Sequence, residues 1–127
     1  MKTIVIDPAA SDLAEKLKRI LPTVELVAAC SSGEQGWEAA SALEPDVVFL
    51  NLDLPDTSGM DLMHRLVRLP LALIVCSTWS SYAQEALQAG VKGYLLLPLE
   101  DWDVKKHVAS AVPTTKGSTR KPLNQYH

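Results

Sequence analysis

The run Val47-Val48-Phe49-Leu50 constrains this chain more than any other feature. Four consecutive apolar residues leave no polar face. The run therefore reads as a strand buried on both sides, as in a parallel sheet covered by helices. It passes straight into Asn51-Leu52-Asp53-Leu54-Pro55-Asp56-Thr57-Ser58-Gly59, a polar loop punctuated by Pro and Gly. In an open α/β sheet the carboxyl end of such a strand is where a ligand or reacting group sits. Asn51 holds that position here.

The same unit repeats along the chain. Strands are predicted at Thr3–Ile6, Val24–Ala29, Val47–Leu50, Leu71–Cys76 and Gly93–Leu97. Between them, helical spacing predicts helices at Ser11–Leu21, Gly33–Leu43, Gly59–Arg68 and Ser80–Ala89, and a fifth within Leu99–Val112. Ser11 reads as the cap of the first helix, with Leu13, Leu17 and Ile20 inward. Trp37, Ala40 and Leu43 form the inner face of the second, Leu62, Leu66 and Leu69 that of the third, and Ala83, Ala86 and Leu87 that of the fourth. Gly90 is a natural stop. Short connections between parallel strands imply right-handed crossovers. The expected fold is α/β, a three-layer, doubly wound, parallel five-stranded sheet of order 2-1-3-4-5 built as (βα)5. Residues 1–112 read as one domain. After Pro113 the sequence turns polar and partly basic, so 113–127 reads as a linker or a loose tail.

Composition narrows the function. A formal net charge of -3 leaves no basic footprint, so no direct contact with nucleic acid is expected of this domain. No apolar run approaches the roughly 18 residues of a membrane helix, and Met1 to Asp7 reads as a strand rather than a signal peptide. Cys30 and Cys76 lack metal-ligand spacing and read as reduced core thiols, which fits the cytoplasm. His64 and His107 lie on helices without ligand partners at metal spacing. No Ser-His-Asp set appears, and Asp7-Pro8-Ala9-Ala10 stands where a dinucleotide fold would carry its glycines. Neither catalysis nor a cofactor or metal is expected.

From Lys2 to Val112 the chain resembles bacterial response-regulator receiver domains, which have the CheY-like, flavodoxin-like fold. Four strand ends carry the resemblance. Asn51 with Pro55 and Gly59 matches Asp-x-x-x-Pro-x-x-x-Gly, whose Asp accepts a phosphoryl group. Ile6-Asp7-Pro8 stands where the family has two adjacent acids that help hold Mg²⁺, and only Asp7 is kept. Ser77-Thr78 matches the family's Thr or Ser followed by a small residue. Gly93-Tyr94-Leu95-Leu96-Leu97-Pro98 keeps an aromatic residue and the Pro, but Leu97 replaces the Lys.

The resemblance thus implies a degenerate phosphorylation pocket made of Asp7, Pro8, Asn51, Asp53, Ser77 and Leu97. Mg²⁺ takes oxygen ligands, usually including one or two carboxylates, and two expected acids are missing. Leu97 removes the cation that would pair with phosphate. Ser77 and Tyr94 keep the family's two switch positions. The expected working surface is the face of the fourth helix, fifth strand and fifth helix, with Trp79, Lys92, Trp102, Lys105 and Lys106 as contact residues for a protein partner or a second copy. A pseudo-receiver follows: the N-terminal regulatory module of a transcriptional signalling protein, with an output domain after residue 127, working without phosphorylation. Two rivals are a receiver phosphorylated on Asp53 or another acid, and a small-molecule or cofactor binder in the strand-end crevice. Extended geometry after Asn51 would put Asp53 on the same side of the chain.

Overall fold

The computed structural model describes residues 1–99 and 104–106. Their elements are β1 (Lys2–Ile6), α1 (Ala10–Ile20), β2 (Glu25–Cys30), α2 (Gly33–Leu43), β3 (Val47–Asn51), α3 (Gly59–Leu66), β4 (Ala72–Ser77), a short 3-10 turn η1 (Ser80–Tyr82), α4 (Ala83–Ala89) and β5 (Gly93–Leu96). Residues 104–106 are helical. The strands pair in parallel in the order β2-β1-β3-β4-β5. The doubly wound sheet expected from the alternation is therefore present. The expected tail, and the part of the fifth helix that holds Trp102, lie outside the described residues.

Alternation along each strand divides the core in two. Val5, Val47, Phe49, Ile74 and Leu95 point to the side covered by α1 and Val104. Ile4, Ile6, Val48, Leu50, Leu73 and Val75 point to the side covered by α2, α3 and α4. Every residue of β3 is buried, as its unbroken apolar run requires.

Three local expectations are corrected. Ser11 does not cap α1. The helix starts one residue earlier, Ala9 is its N-cap, and no side chain caps it. Asp7 Oδ1 accepts the Ala9 N–H at 2.7 Å, which turns the chain around Pro8 and into the helix sooner than the sequence suggests. Leu43 is exposed, because α2 meets the sheet through small residues: a Cβ on Gly36 would lie 2.5 Å from Ile6 Cδ1. Leu87 is exposed too. Ala86 is the buried centre of α4, and Leu87 sits one step round the helix from it.

Candidate functional site

β1 and β3 are neighbours at the middle of the sheet, so their carboxyl ends bring Asp7 and Asn51 together. Both are more than nine-tenths buried. Asn51 Nδ2 donates to Asp7 Oδ2 at 2.9 Å, and Asn51 Oδ1 accepts the Asp53 N–H at 2.8 Å. With Ala9 N–H on Oδ1, each Asp7 oxygen has a donor. The buried polar atoms are thus satisfied within the chain.

The strand stops at Asn51, and Leu54 N donates to Leu52 O at 3.1 Å in a tight turn. Asp53 lies in that turn, past the end of the strand, and is exposed. Pro8 is also exposed and offers neither an N–H nor a side-chain oxygen. Leu97 is half-buried and packs on the apolar cluster that contains Val5, Ala10, Leu13 and Phe49. Leu97 therefore brings an apolar side chain, and no charge, to the end of β5.

This donor set does not suit a hard divalent cation. Mg²⁺ needs oxygen ligands in near-octahedral array. Asn51 turns its NH₂, a donor, toward Asp7, and its carbonyl oxygen is held by a backbone amide. Among the described residues no group of three or more His, Cys, Asp or Glu is placed to hold a metal ion.

Ser77, at the end of β4, is almost fully buried and accepts the Trp79 N–H on its Oγ at 3.0 Å. Tyr94, on β5, donates its phenolic OH to the Trp79 carbonyl. The backbone of Trp79 is thus held at its N–H by Ser77 and at its carbonyl by Tyr94. Its indole is 59% exposed. Lys92 is exposed, as are Lys105 and Lys106 on the helical residues 104–106.

Two features had no signal in the sequence. Asp56 reaches across the loop to the start of α2 and accepts the N–H groups of Gly33 at 2.7 Å and Glu34 at 3.0 Å. These bonds hold its carboxyl below the usual range. Beside it the Arg65 guanidinium lies 4.1 Å from the Trp37 ring centre. Each joins residues more than twenty positions apart, which local spacing does not reveal. Cys30 and Cys76 are both buried, as expected. Burial drives the Cys76 thiol far up, the nearby Asp7 carboxylate adds to this, and burial also raises Cys30. Neither has the electropositive setting of a reactive thiol.

A doubly wound α/β domain with its polar side chains gathered at the strand ends is a common signalling architecture, and the comparisons specify which. Residues 5–109 match the response regulator receiver domain family. The chain is 34% identical over 103 residues to the nitrate/nitrite response regulator protein NarL of Escherichia coli (strain K12), covering 76% of this chain and 48% of that protein. It is 30% identical over 115 residues to the sensory transduction protein LytT of Enterococcus faecalis, covering 87% and 48%. It thus spans about half the length of these relatives. The REC domain of AraT, a response regulator from Geobacillus stearothermophilus, superposes with a TM-score of 0.76 at 28% identity, covering 87% of this chain and 91% of that one. A CheY-like receiver domain protein from Methanospirillum hungatei shares the fold at 18% identity, with a TM-score of 0.74 over 85% of this chain and 90% of that one. The chain belongs to the response-regulator receiver domain family. No helix among the described residues is long and apolar enough to cross a membrane.

Proposed function

We propose that this receiver domain works without phosphorylation, by protein–protein contact through α4, β5 and the helical residues 104–106. The observation that carries the reading is the 2.9 Å hydrogen bond from Asn51 to Asp7. It puts an unreactive amide at the acceptor position and uses that amide to satisfy the one remaining acid of the pocket. Leu97 adds no positive charge for a phosphoryl group to pair with. The exposure of Asp53, past the end of the strand and outside the buried Asp7–Asn51 pair, speaks against its serving as a substitute acceptor. The apolar Leu97 and the internally satisfied Asp7–Asn51 pair leave few polar groups for a small ligand in the crevice.

Ser77 and Tyr94 then act as fixed supports for Trp79 rather than as a phosphorylation relay. A partner shifts such an arrangement only by binding one state better than another. The matched relatives are response regulators about twice as long as this chain. We therefore also propose that the domain is the regulatory module of a larger transcriptional signalling protein, with an output domain following it.

Mg²⁺ titration followed by backbone amide NMR tests the pocket. No saturable shift is expected at Asp7, Asn51 or Asp53 in the low-millimolar range. A site with sub-millimolar affinity there would contradict the reading.

A further inference from the structure

The loop from Leu52 to Ser58, between β3 and α3, is pinned at both ends and in the middle. At its start the Leu52 N–H donates to the Cys76 carbonyl at 3.3 Å, and the Asp53 N–H closes on Asn51 Oδ1 at 2.8 Å. At its end Ser58 caps α3 through the Asp61 N–H. In the middle Asp56 crosses to the neighbouring helix. Its Oδ1 accepts the Gly33 N–H at 2.7 Å and its Oδ2 accepts the Glu34 N–H at 3.0 Å. The fit there is close, for a Cβ on Gly33 would lie 2.3 Å from Thr57 Cγ2 and 3.3 Å from Leu54 Cδ1.

The start of α2 explains why a carboxylate is held at this point. The first N–H groups of a helix find no partner within it. Ser32 Oγ serves the Gln35 N–H, and the Ser32 carbonyl serves the Gly36 N–H. Gly33 and Glu34 are left, and Asp56 takes both. The positive end of the helix dipole favours the charged form of such a carboxyl. The two N–H groups hold the Asp56 carboxyl below the usual range, so the clasp is closed at neutral pH.

The other end of the loop serves buried atoms. Asn51 is more than nine-tenths buried, and its Oδ1 is satisfied by the Asp53 N–H. If the loop lifts, that oxygen loses its donor, and a buried acceptor left without one draws in water. Asn51 Nδ2 is also what joins Asp7, so water that reaches Asn51 competes for Asp7 as well. We infer that the Leu52–Ser58 loop is a strap over the Asp7–Asn51 pair and that Asp56 is its latch, a surface residue that keeps water out of the strand-end crevice through its hold on α2. Drawing Asp56 off α2 opens the crevice, so the start of α2 and the buried pair form one coupled unit. Such a latch does not depend on whether the domain is phosphorylated.

The test is solvent exchange followed by NMR on the whole chain, native against Asp56→Ala. The reporters are the Asn51 side-chain NH₂ and the Asp53 amide. The amide of Val48, fully buried in the middle of β3, reports opening of the sheet itself. In Asp56→Ala the two reporters are expected to exchange about tenfold faster or more, relative to Val48. Asp56→Asn keeps the size and one acceptor oxygen without the charge, and is expected to fall between the native chain and Asp56→Ala. Glu34→Gln keeps both backbone donors and is expected to leave the reporters unchanged.

Faster exchange confined to Gly33 and Glu34, with the Asn51 NH₂ unchanged, would overturn the inference and leave Asp56 a helix cap alone. A rise shared equally by Val48 would overturn it too, because Asp56 would then support the whole sheet rather than the strap. So would an equal rise in Glu34→Gln, since charge in general and not the clasp would then govern exchange. If Asp56→Ala does not fold, Asp56→Asn carries the same comparison.

Discussion

Asn51→Asp is expected to lower stability by about 2 kcal/mol or more at neutral pH, by replacing a buried hydrogen bond with a buried repulsion. In the native chain the Asn51 amide donates to Asp7 Oδ2 at 2.9 Å. The variant puts a second carboxylate at that distance in a site more than nine-tenths buried, and Asp7 loses its donor. Two carboxylates in contact do not both ionise readily, so one titrates in the folded state well above its unfolded value. The sign follows from linkage. With a raised folded pKa, the folded state holds a proton that the unfolded state has released. The stability of the variant is therefore fully present below the unfolded carboxylate pKa and is lost as pH rises through the raised folded one. Native chain and variant should converge in acid and separate toward neutrality. A divalent cation should restore part of the loss in the variant and none in the native chain, where the Asn51 amide already donates to Asp7 Oδ2. Urea denaturation at several pH values, with and without Mg²⁺, measures this. A variant as stable as the native chain at neutral pH would show that the amide bond is not what satisfies Asp7.

Gly59→Ala should be more damaging to the fold, by about 3 kcal/mol. Gly59 begins α3, just after Ser58, whose Oγ accepts the Asp61 N–H and caps the helix. A Cβ at Gly59 would lie 2.1 Å from the Leu52 carbonyl oxygen and 2.5 Å from its Cα. Both are backbone atoms of the loop that leaves Asn51, so no side chain can swing aside. Either the helix start or the loop must move. The same substitution should also loosen the Asp53 N–H to Asn51 Oδ1 bond, which lies on that loop. Thermal unfolding reads the first effect and amide exchange at Asp53 reads the second. A loss below about 1 kcal/mol would mean the loop yields easily and does not position Asn51.

The architecture was legible because it depends on local pattern. Val47 to Leu50 could only be an interior strand, and Gly33–Leu43 proved to be a helix with the bounds its spacing gives. Where reading failed, a contact that residue spacing does not show decided the outcome. Leu43 and Leu87 have core-like spacing, but α2 and α4 approach the sheet through Gly36, Ala40 and Ala86, so larger residues beside them turn outward. Ser11 is a good capping residue, yet the Asp7 carboxylate fixed the turn before it.

The candidate site divides in the same way. The identities of Asp7, Asn51, Ser77 and Leu97 at strand ends came from the sequence pattern. That Asn51 holds Asp7 directly, and that Ser77 and Tyr94 grip one and the same residue, came only from the fold. Asp56 on the amides of α2 belongs to this second group, since nothing local marks a loop carboxylate as the partner of a helix 22 and 23 residues away.

The most direct test of phosphorylation-independent action is intact-mass spectrometry after incubation with acetyl phosphate and Mg²⁺. The native chain is expected to keep its mass. Asn51→Asp alone is expected to remain poorly reactive, because Pro8 and Leu97 still withhold a metal ligand and a counter-charge. A stoichiometric gain of one phosphoryl group on the native chain, mapped to Asp53 or any other acid, would contradict the account.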